Sequence, residues 1–305
     1  MIIPGKSYRG ALPPLTEQES TTVKRLEDDV KMLASSIEER NTRLYPALIE
    51  AEQYIAKSFE YMGYSPTKET YDAVGVKVSN IIAELPGTVK IDEIVVIGAH
   101  YDSAPGTPGA NDNASAVAGL LEIARALKGR QFERTVRFVA FVNEEPPFTW
   151  TELMGSLVHA TGARKRNENI IAILCLECLG VYSDKPGSQL YSPPLERFYP
   201  DTANFIAFCS NVYSFPLLRK CIKEFRKTTS FPSEGIAAPE RVEGISWSDH
   251  WSFWKEGYPA IMITDTAFFR YSHYHNSTDT PDKLDYERMA RVTEGLKRVI
   301  QKLLD

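Results

Sequence analysis

Apolar side chains at Val23, Leu26, Val30, Leu33 and Ile37 recur at intervals of three and four, which predicts a helix within residues 17–40. A second helix is predicted from Pro46, whose ring suits a first turn, to just before Gly63. Its apolar stripe is Leu48, Ile49, Ile55, Phe59 and Met62. Residues 67–85 alternate and then turn apolar, which predicts two strands closed near Gly75. Beyond them, short continuous apolar runs at 94–99, 135–142, 170–176 and 259–264 read as buried strands. Helical stretches are predicted at 114–127, 152–163 and 282–304, with one or two helices within 202–229. Strands and helices in alternation give an α/β fold, a mostly parallel central sheet covered by helices on both faces. Residues 1–80 are expected to form a helical and strand layer packed on the same core, and residues 81–305 the domain that carries the chemistry.

The bulk properties narrow the function classes. With 43% hydrophobic and 25% charged residues the chain has an ordinary globular composition. A net charge of -5 and no Lys/Arg cluster argue against a nucleic-acid partner. No stretch reaches the ~18 apolar residues of a spanning helix, so no membrane partner is expected. The opening residues MIIPGKSYRGALPP lack the apolar core of a signal peptide. Cys175 and Cys178 form a CxxC within an apolar strand, where positions three apart face opposite sides and cannot bridge. No second CxxC follows to complete a structural zinc site. These two, with Cys209 and Cys221, are read as reduced thiols, and a cytoplasmic location is expected.

In open α/β sheets, ligands bind at the carboxyl ends of the strands. Here the first buried strand ends in His100-Tyr101-Asp102, the second in Asn143-Glu144-Glu145 and the third in Glu177. The fourth leads to a loop with His273, His275 and Asp279, and Asn111-Asp112-Asn113 separates the first strand from its helix. Taken singly, a His-x-Asp pair, a twin-Glu turn, an Asn-Asp-Asn turn and a loop histidine are ordinary surface features. Glu177 differs, because it lies inside the apolar run ILCLECLG and needs a charge partner or a metal. Convergence of such groups at four strand exits is the signature of a metal centre. Two zinc ions balanced by Asp112, Glu145, Glu177 and a bridging hydroxide, with His100 and His275 as neutral imidazoles, would leave a nearly neutral cluster.

The segments VVIGAHYDS (95–103), PGANDNASAVAGLLEIAR (108–125), VAFVNEEP (139–146), CLECLG, SDHWSFW (248–254) and HYHNSTDTPDKLD (273–285) together resemble metallopeptidase family 28. This family of co-catalytic zinc exopeptidases includes bacterial leucyl aminopeptidases and glutamate carboxypeptidase. The resemblance spans roughly residues 80–300. It implies a peptide substrate and two zinc ions. Asp112 takes the bridging position, His100 and Glu177 hold one zinc, and Glu145 and His275 hold the other. Glu144 takes the place of the general base, and Asp102 that of the carboxylate orienting His100. A non-proline cis peptide is implied at Asp112–Asn113. Asp249 and His250 fall where the family has supporting residues, and His250 is not expected to ligate.

Three positions depart from the family pattern. Glu177 replaces the usual Asp, and one extra methylene bears on metal choice or occupancy. Pro146-Pro147-Phe148 follows Glu145 where the family has a short path to a Gly-Ser pair, here Gly155-Ser156, so the intervening loop is longer. His273 precedes His275 by two residues and is read as a loop residue. Trp247, Trp251, Trp254 and Tyr274 are candidates for the substrate pocket, with core packing expected for at least two of them. The expected activity is that of an aminopeptidase. The alternatives are a glutaminyl-cyclase-like acyl transferase with one zinc, a carboxypeptidase using Arg241 or Arg270, and a silent binding module on the same fold.

Overall fold

A computed structural model describes residues 2–305. Thr16 opens the first helix: its hydroxyl accepts from the Glu19 amide while the Glu19 carboxylate reaches back to the Thr16 amide. This helix, α1, spans Glu17–Lys31 and gives way to a π-helical turn at Met32–Ile37. α2 covers Tyr45–Tyr61 with Pro46 in its first turn. β1 (Thr67–Ala73) and β2 (Val76–Leu85) form the expected hairpin, and its two turn residues, Val74 and Gly75, both have positive φ. There follow β3 (Lys90–His100), α3 (Ala116–Leu127), β4 (Arg134–Phe141), α4 (Gly155–Lys165) and β5 (Asn169–Glu177). The chain closes with β6 (Ile206–Ser210), α5 (Phe215–Thr228), β7 (Ser233–Ala237), α6 (His250–Lys255), β8 (Ala260–Thr264), α7 (Ala267–Arg270) and α8 (Tyr286–Leu304).

All eight strands lie in one sheet, in the order β1-β2-β4-β3-β5-β8-β6-β7. The four central strands, β4, β3, β5 and β8, run parallel. β2 is antiparallel to β4, and β6 to β8, so the whole sheet is mixed. The segment 202–229 is corrected from all helix to a strand followed by a helix. Its five-residue run IAFCS is fully buried beside β8, and a short apolar run carries no period that separates strand from helix.

Helices cover both faces. On one, Leu26, Ile55, Phe59, Leu120, Phe225 and Leu296 pack against Ile97, Phe138, Leu174 and Ile263. On the other, Ala160, Ala163, Phe253 and Trp254 pack against Val96, Val139, Ile173 and Met262. The N-terminal helices belong to the first of these cores: Leu26, Val30, Leu33, Leu48, Ile55 and Phe59 have no exposed surface. Each such burial contributes roughly 1.5–3 kcal/mol. A buried polar link adds to this packing, with Lys297 Nζ 2.8 Å from Glu122 and 2.6 Å from Glu294, which also accepts from the Thr22 hydroxyl. Residues 80 and 81 both lie within β2. Among the described residues no helix is long and apolar enough to cross a membrane, and all four cysteines are free and buried.

Candidate metal centre

The carboxyl ends of β3, β4 and β5 open on one edge of the sheet, and each delivers a ligand-type side chain. β3 ends at His100, whose imidazole is buried. The connection from β3 to α3 carries Asp112. Gly109, at φ 60°, makes this path possible, since a Cβ there would lie 2.4 Å from the Asp112 carbonyl. The Asp112–Asn113 peptide is cis. Asp279, distant in sequence, grips the turn: its carboxylate accepts from the amides of Asn111 (2.9 Å) and Asp112 (3.2 Å), and from the Tyr271 hydroxyl.

Glu144 and Glu145 follow β4. Their amides donate to the two oxygens of Asp102, at 3.1 and 3.2 Å. His100 Nδ1 stands 3.2 Å from the Asp102 carbonyl and 3.5 Å from its carboxylate. Asp102 therefore backs the imidazole and also fixes the turn that holds both glutamates. A proton on Nδ1 leaves Nε2 as the free electron pair. Glu177 ends β5. One of its oxygens accepts from Ser248 Oγ at 2.7 Å, and the other lies 3.0 Å from the Cys178 thiol. His275, also at positive φ, lies flat against the Tyr274 ring at 4.0 Å between centroids.

The five side chains meet as two triads that share Asp112: His100, Asp112 and Glu177, and Asp112, Glu145 and His275. Asp112 Oδ1 faces His100 Nε2 at 3.3 Å, and Oδ2 faces His275 Nε2 at 3.0 Å. Glu177 lies 3.3 Å from His100 Nε2, and Glu145 lies 3.3 Å from His275 Nε2. Two donors bound tetrahedrally to one zinc stand about 3.3 Å apart, so the donor set fits a metal ion in each triad. Glu145 Oε1 is buried without a hydrogen-bond partner, a vacant acceptor that a cation satisfies.

The electrostatics agree. Burial pushes Glu145 up to about 7, helped by the Asp112 charge. Burial works against charge on both imidazoles, yet Asp112 and Glu145 carry His275 up to about 11, and Glu177 and Glu144 raise His100 well above its usual range. Burial alone would raise Asp112, but its contacts with the two imidazoles hold it well below the usual carboxylate range. The upward shifts of the two imidazoles reflect the pull of the carboxylate cluster on positive charge, and that of Glu145 reflects its burial beside another carboxylate. Glu144 lies 3.9 Å from His100 Nε2 and belongs to neither triad. Burial, with Glu145 and Glu177 nearby, raises its carboxyl well above the usual value.

The remaining candidates separate cleanly. His273 Nδ1 pairs with the Thr278 hydroxyl at 2.7 Å, away from the triads. His250 is buried and uses Nε2 on the Ile245 carbonyl, so it does not ligate. Asp249 is buried and pushed up to about 7 by that burial. Beside Glu177 opens a cleft walled by Tyr191, Phe205, Met262, Phe268 and the expected Trp247 and Tyr274. Trp254 is core, donating to the Ala260 carbonyl, and Trp251 packs on the second core. Arg270 is engaged by Gln189 and by the carbonyls of Val181 and Phe205. No Lys or Arg lines the cleft.

Arg40 was not legible as a site residue. It is fully buried, and its guanidinium donates to the carbonyls of Tyr101, Pro108 and Gly109, which bracket the loop bearing Asp112. These three partners lie more than 60 residues away, and no local spacing marks it. Ser248 and Asp279 were visible only as neighbours of motif residues.

A mixed sheet with a parallel centre, covered by helices, with two carboxylate–imidazole triads sharing one aspartate at its strand ends defines a metallohydrolase-type scaffold. The chain belongs to peptidase family M28, whose sequence model matches residues 80–300. The Escherichia coli (strain K12) protein YfbL is 36% identical over 97% of this chain and 92% of its own length. Among solved structures, BSAP, a zinc aminopeptidase from Bacillus subtilis, superposes with a TM-score of 0.71 at 16% identity, over 93% of this chain and 95% of that one. A glutaminyl cyclase from Fimbriiglobus ruber superposes with a TM-score of 0.69 at 22% identity, over 98% of each chain.

Proposed function

We propose that this protein is a two-zinc aminopeptidase that removes residues from the free N-terminus of peptides. The observation that carries the reading is Asp112, whose two oxygens point to different imidazoles, each completed by its own glutamate. His100 and Glu177 would hold one ion, Glu145 and His275 the other, with Asp112 between them. Zinc bound there supplies Lewis-acid polarisation of the scissile carbonyl and acidifies water.

The chain's own groups do the rest. Glu144 stands free of both triads, at their edge. From there, as a carboxylate, it accepts a proton from the attacking water and passes it to the departing amine. Glu177 and Glu145 present anionic oxygens to the substrate's ammonium group. A carboxypeptidase needs a cation for the substrate carboxylate, and among the described residues the cleft wall offers none, while Arg270 lies outside that wall with its Nε and Nη1 bonded to Gln189 and to the carbonyls of Val181 and Phe205. We further infer that residues 1–80 and 81–305 act as one catalytic unit, supported by the shared core. The four free thiols support a cytoplasmic setting.

The test is zinc content by elemental analysis, paired with hydrolysis of aminoacyl substrates before and after chelation, in the wild type and in Glu144→Gln. About two zinc ions per chain and chelator-sensitive release of one amino acid are expected. Glu144→Gln should keep its metal and lose about 10²–10⁴-fold in turnover. One zinc with cyclisation of N-terminal glutamine and no hydrolysis would place the protein with the cyclases instead.

A further inference from the structure

We propose that Trp150 and Trp247 form a second subsite, which receives a large apolar side chain on the residue that follows the scissile bond. The proposal rests on the aminopeptidase reading above. Trp150 is 50% exposed and Trp247 38% exposed, although indole rings are among the side chains that gain most from burial. Two such rings beside an active-site cleft form an apolar surface of the kind that marks a binding site.

The loop that carries Trp150 is built to hold it. Its base is pinched shut where the Gly155 amide donates to the Val142 carbonyl at 2.8 Å. Asn80 clamps the same point, accepting from the Val142 amide and donating to the Gly155 carbonyl. Gly155 is required for this closure, since a Cβ would stand 2.3 Å from the Val142 carbonyl. Within the loop, Phe148 is buried and its amide donates to Glu145, the Thr149 hydroxyl donates to the Glu144 carbonyl, and the Thr151 amide donates to Phe148. Trp150 itself sits at φ 61°. Its indole N–H reaches the Ser246 carbonyl at 3.3 Å. The next residue, Trp247, stacks on Phe268 at 4.6 Å, and Ser248 holds Glu177. The two rings therefore sit on segments joined by that hydrogen bond, each segment anchored to a residue of the metal centre.

Chemistry decides which part of the substrate they meet. Glu144 returns its proton to the departing amine, so the departing peptide lies against the wall that carries Glu144. Trp150 stands on that wall, six residues along a hydrogen-bonded loop. The aromatic cleft beside Glu177 is left for the first residue, and Trp247, which also walls that cleft, is the rim the two subsites share. Neither ring has a charged partner, which favours an apolar or aromatic side chain over a charged one.

The experiment compares Leu-Phe with leucinamide, whose leaving group is ammonia and has no side chain, in the wild type, Trp150→Ala and Trp150→Phe. The ratio of kcat/KM for Leu-Phe to that for leucinamide should fall about tenfold to a hundredfold in Trp150→Ala. The loss should appear mainly in KM and be largely restored in Trp150→Phe. An unchanged ratio overturns the subsite. If the wild type cleaves neither compound, the aminopeptidase reading fails, and binding still decides the subsite. Titration of Glu144→Gln with Leu-Phe and Leu-Gly, followed by tryptophan fluorescence, should show tighter binding of Leu-Phe, and Trp150→Ala in that background should abolish the preference. Equal affinities for the two dipeptides overturn it.

Discussion

Arg40→Met should cost about 3–5 kcal/mol of stability and weaken metal binding, although Arg40 touches no ligand side chain. The guanidinium is fully buried between the N-terminal layer and the site. Its Nε donates to Tyr101 at 2.7 Å, its Nη2 to Gly109 at 2.8 Å, and its Nη1 to Pro108 at 2.5 Å and Glu38 at 3.1 Å. Burial lowers its pKa to about 10, with Asp102, Asp279, Asp112 and Glu145 opposing the fall, so it stays charged at neutral pH. Methionine retains the stem and removes every donor. The Gly109 carbonyl keeps the Ala114 amide as a partner, while those of Tyr101 and Pro108 lose a buried donor at about 1–3 kcal/mol each. Loss of a buried, fully bonded charge falls in the same range, about 3–5 kcal/mol. For a chain of 305 residues this is a fall of roughly 6–10 °C in Tm. Urea unfolding of the metal-free protein reads the stability, and competition with a chelator reads zinc affinity. Removing a cation near four carboxylates would by itself strengthen zinc binding, so weaker binding reports lost loop geometry. Arg40→Lys keeps the charge without the planar fork and should lose more than half as much. A change below about 1 kcal/mol with zinc affinity intact would refute the claim that Arg40 organises the loop.

Ser248→Ala removes the hydroxyl 2.7 Å from Glu177. On the proposed two-zinc reading it should weaken the ion held by His100 and Glu177 about 10–100-fold and leave the other, read as biphasic release to a chelator; uniform release would mean that Ser248 does not orient Glu177. Asp29 lies far from the site, and burial raises it to about 6, with the Tyr54 hydroxyl and Arg125 working against the shift. Between about pH 4 and 6 the native state keeps a proton that the unfolded chain has lost, so this group withdraws stability as pH rises, by up to roughly 3 kcal/mol. Asp29→Asn should therefore gain on the wild type between pH 4.5 and 7.5 in urea unfolding. A difference that does not vary with pH would show that Asp29 stays charged against Arg125.

The parts of the site that were legible in the sequence share a physical reason. A buried parallel strand reads as a continuous apolar run, and the residue that ends the run is the residue delivered to the sheet edge. His100, Glu145 and Glu177 each follow such a run, and Asp112 and His275 stand at motif spacings beyond one. The central sheet was legible on the same ground. β7 was not, because Ser233–Ala237 mixes Glu and Gly into an edge strand with no alternation to read. β6 was read as helix, and the direction of β2 against the central sheet was not legible either, since pattern alone does not say which way a strand runs.

What escaped the sequence is what holds the ligands rather than what binds. Asp112 is placed by Asp279, 167 residues away, and by the loop that Arg40 supports from 61 to 69 residues away. Such contacts leave no period and no spacing, because each is a single polar group meeting a backbone across the fold. They are also where the energy concentrates: a ligand exposed to water can swing, whereas a carboxylate whose backbone amides are already bonded cannot. Glu177 makes the point from the other side. Its extra methylene would loosen a ligand held only by its own backbone, yet Ser248 and the Cys178 thiol hold both its oxygens, and it still stands 3.3 Å from His100. The longer side chain is tolerated because its far end is fixed, so the tolerance belongs to Ser248 and Cys178 as much as to Glu177.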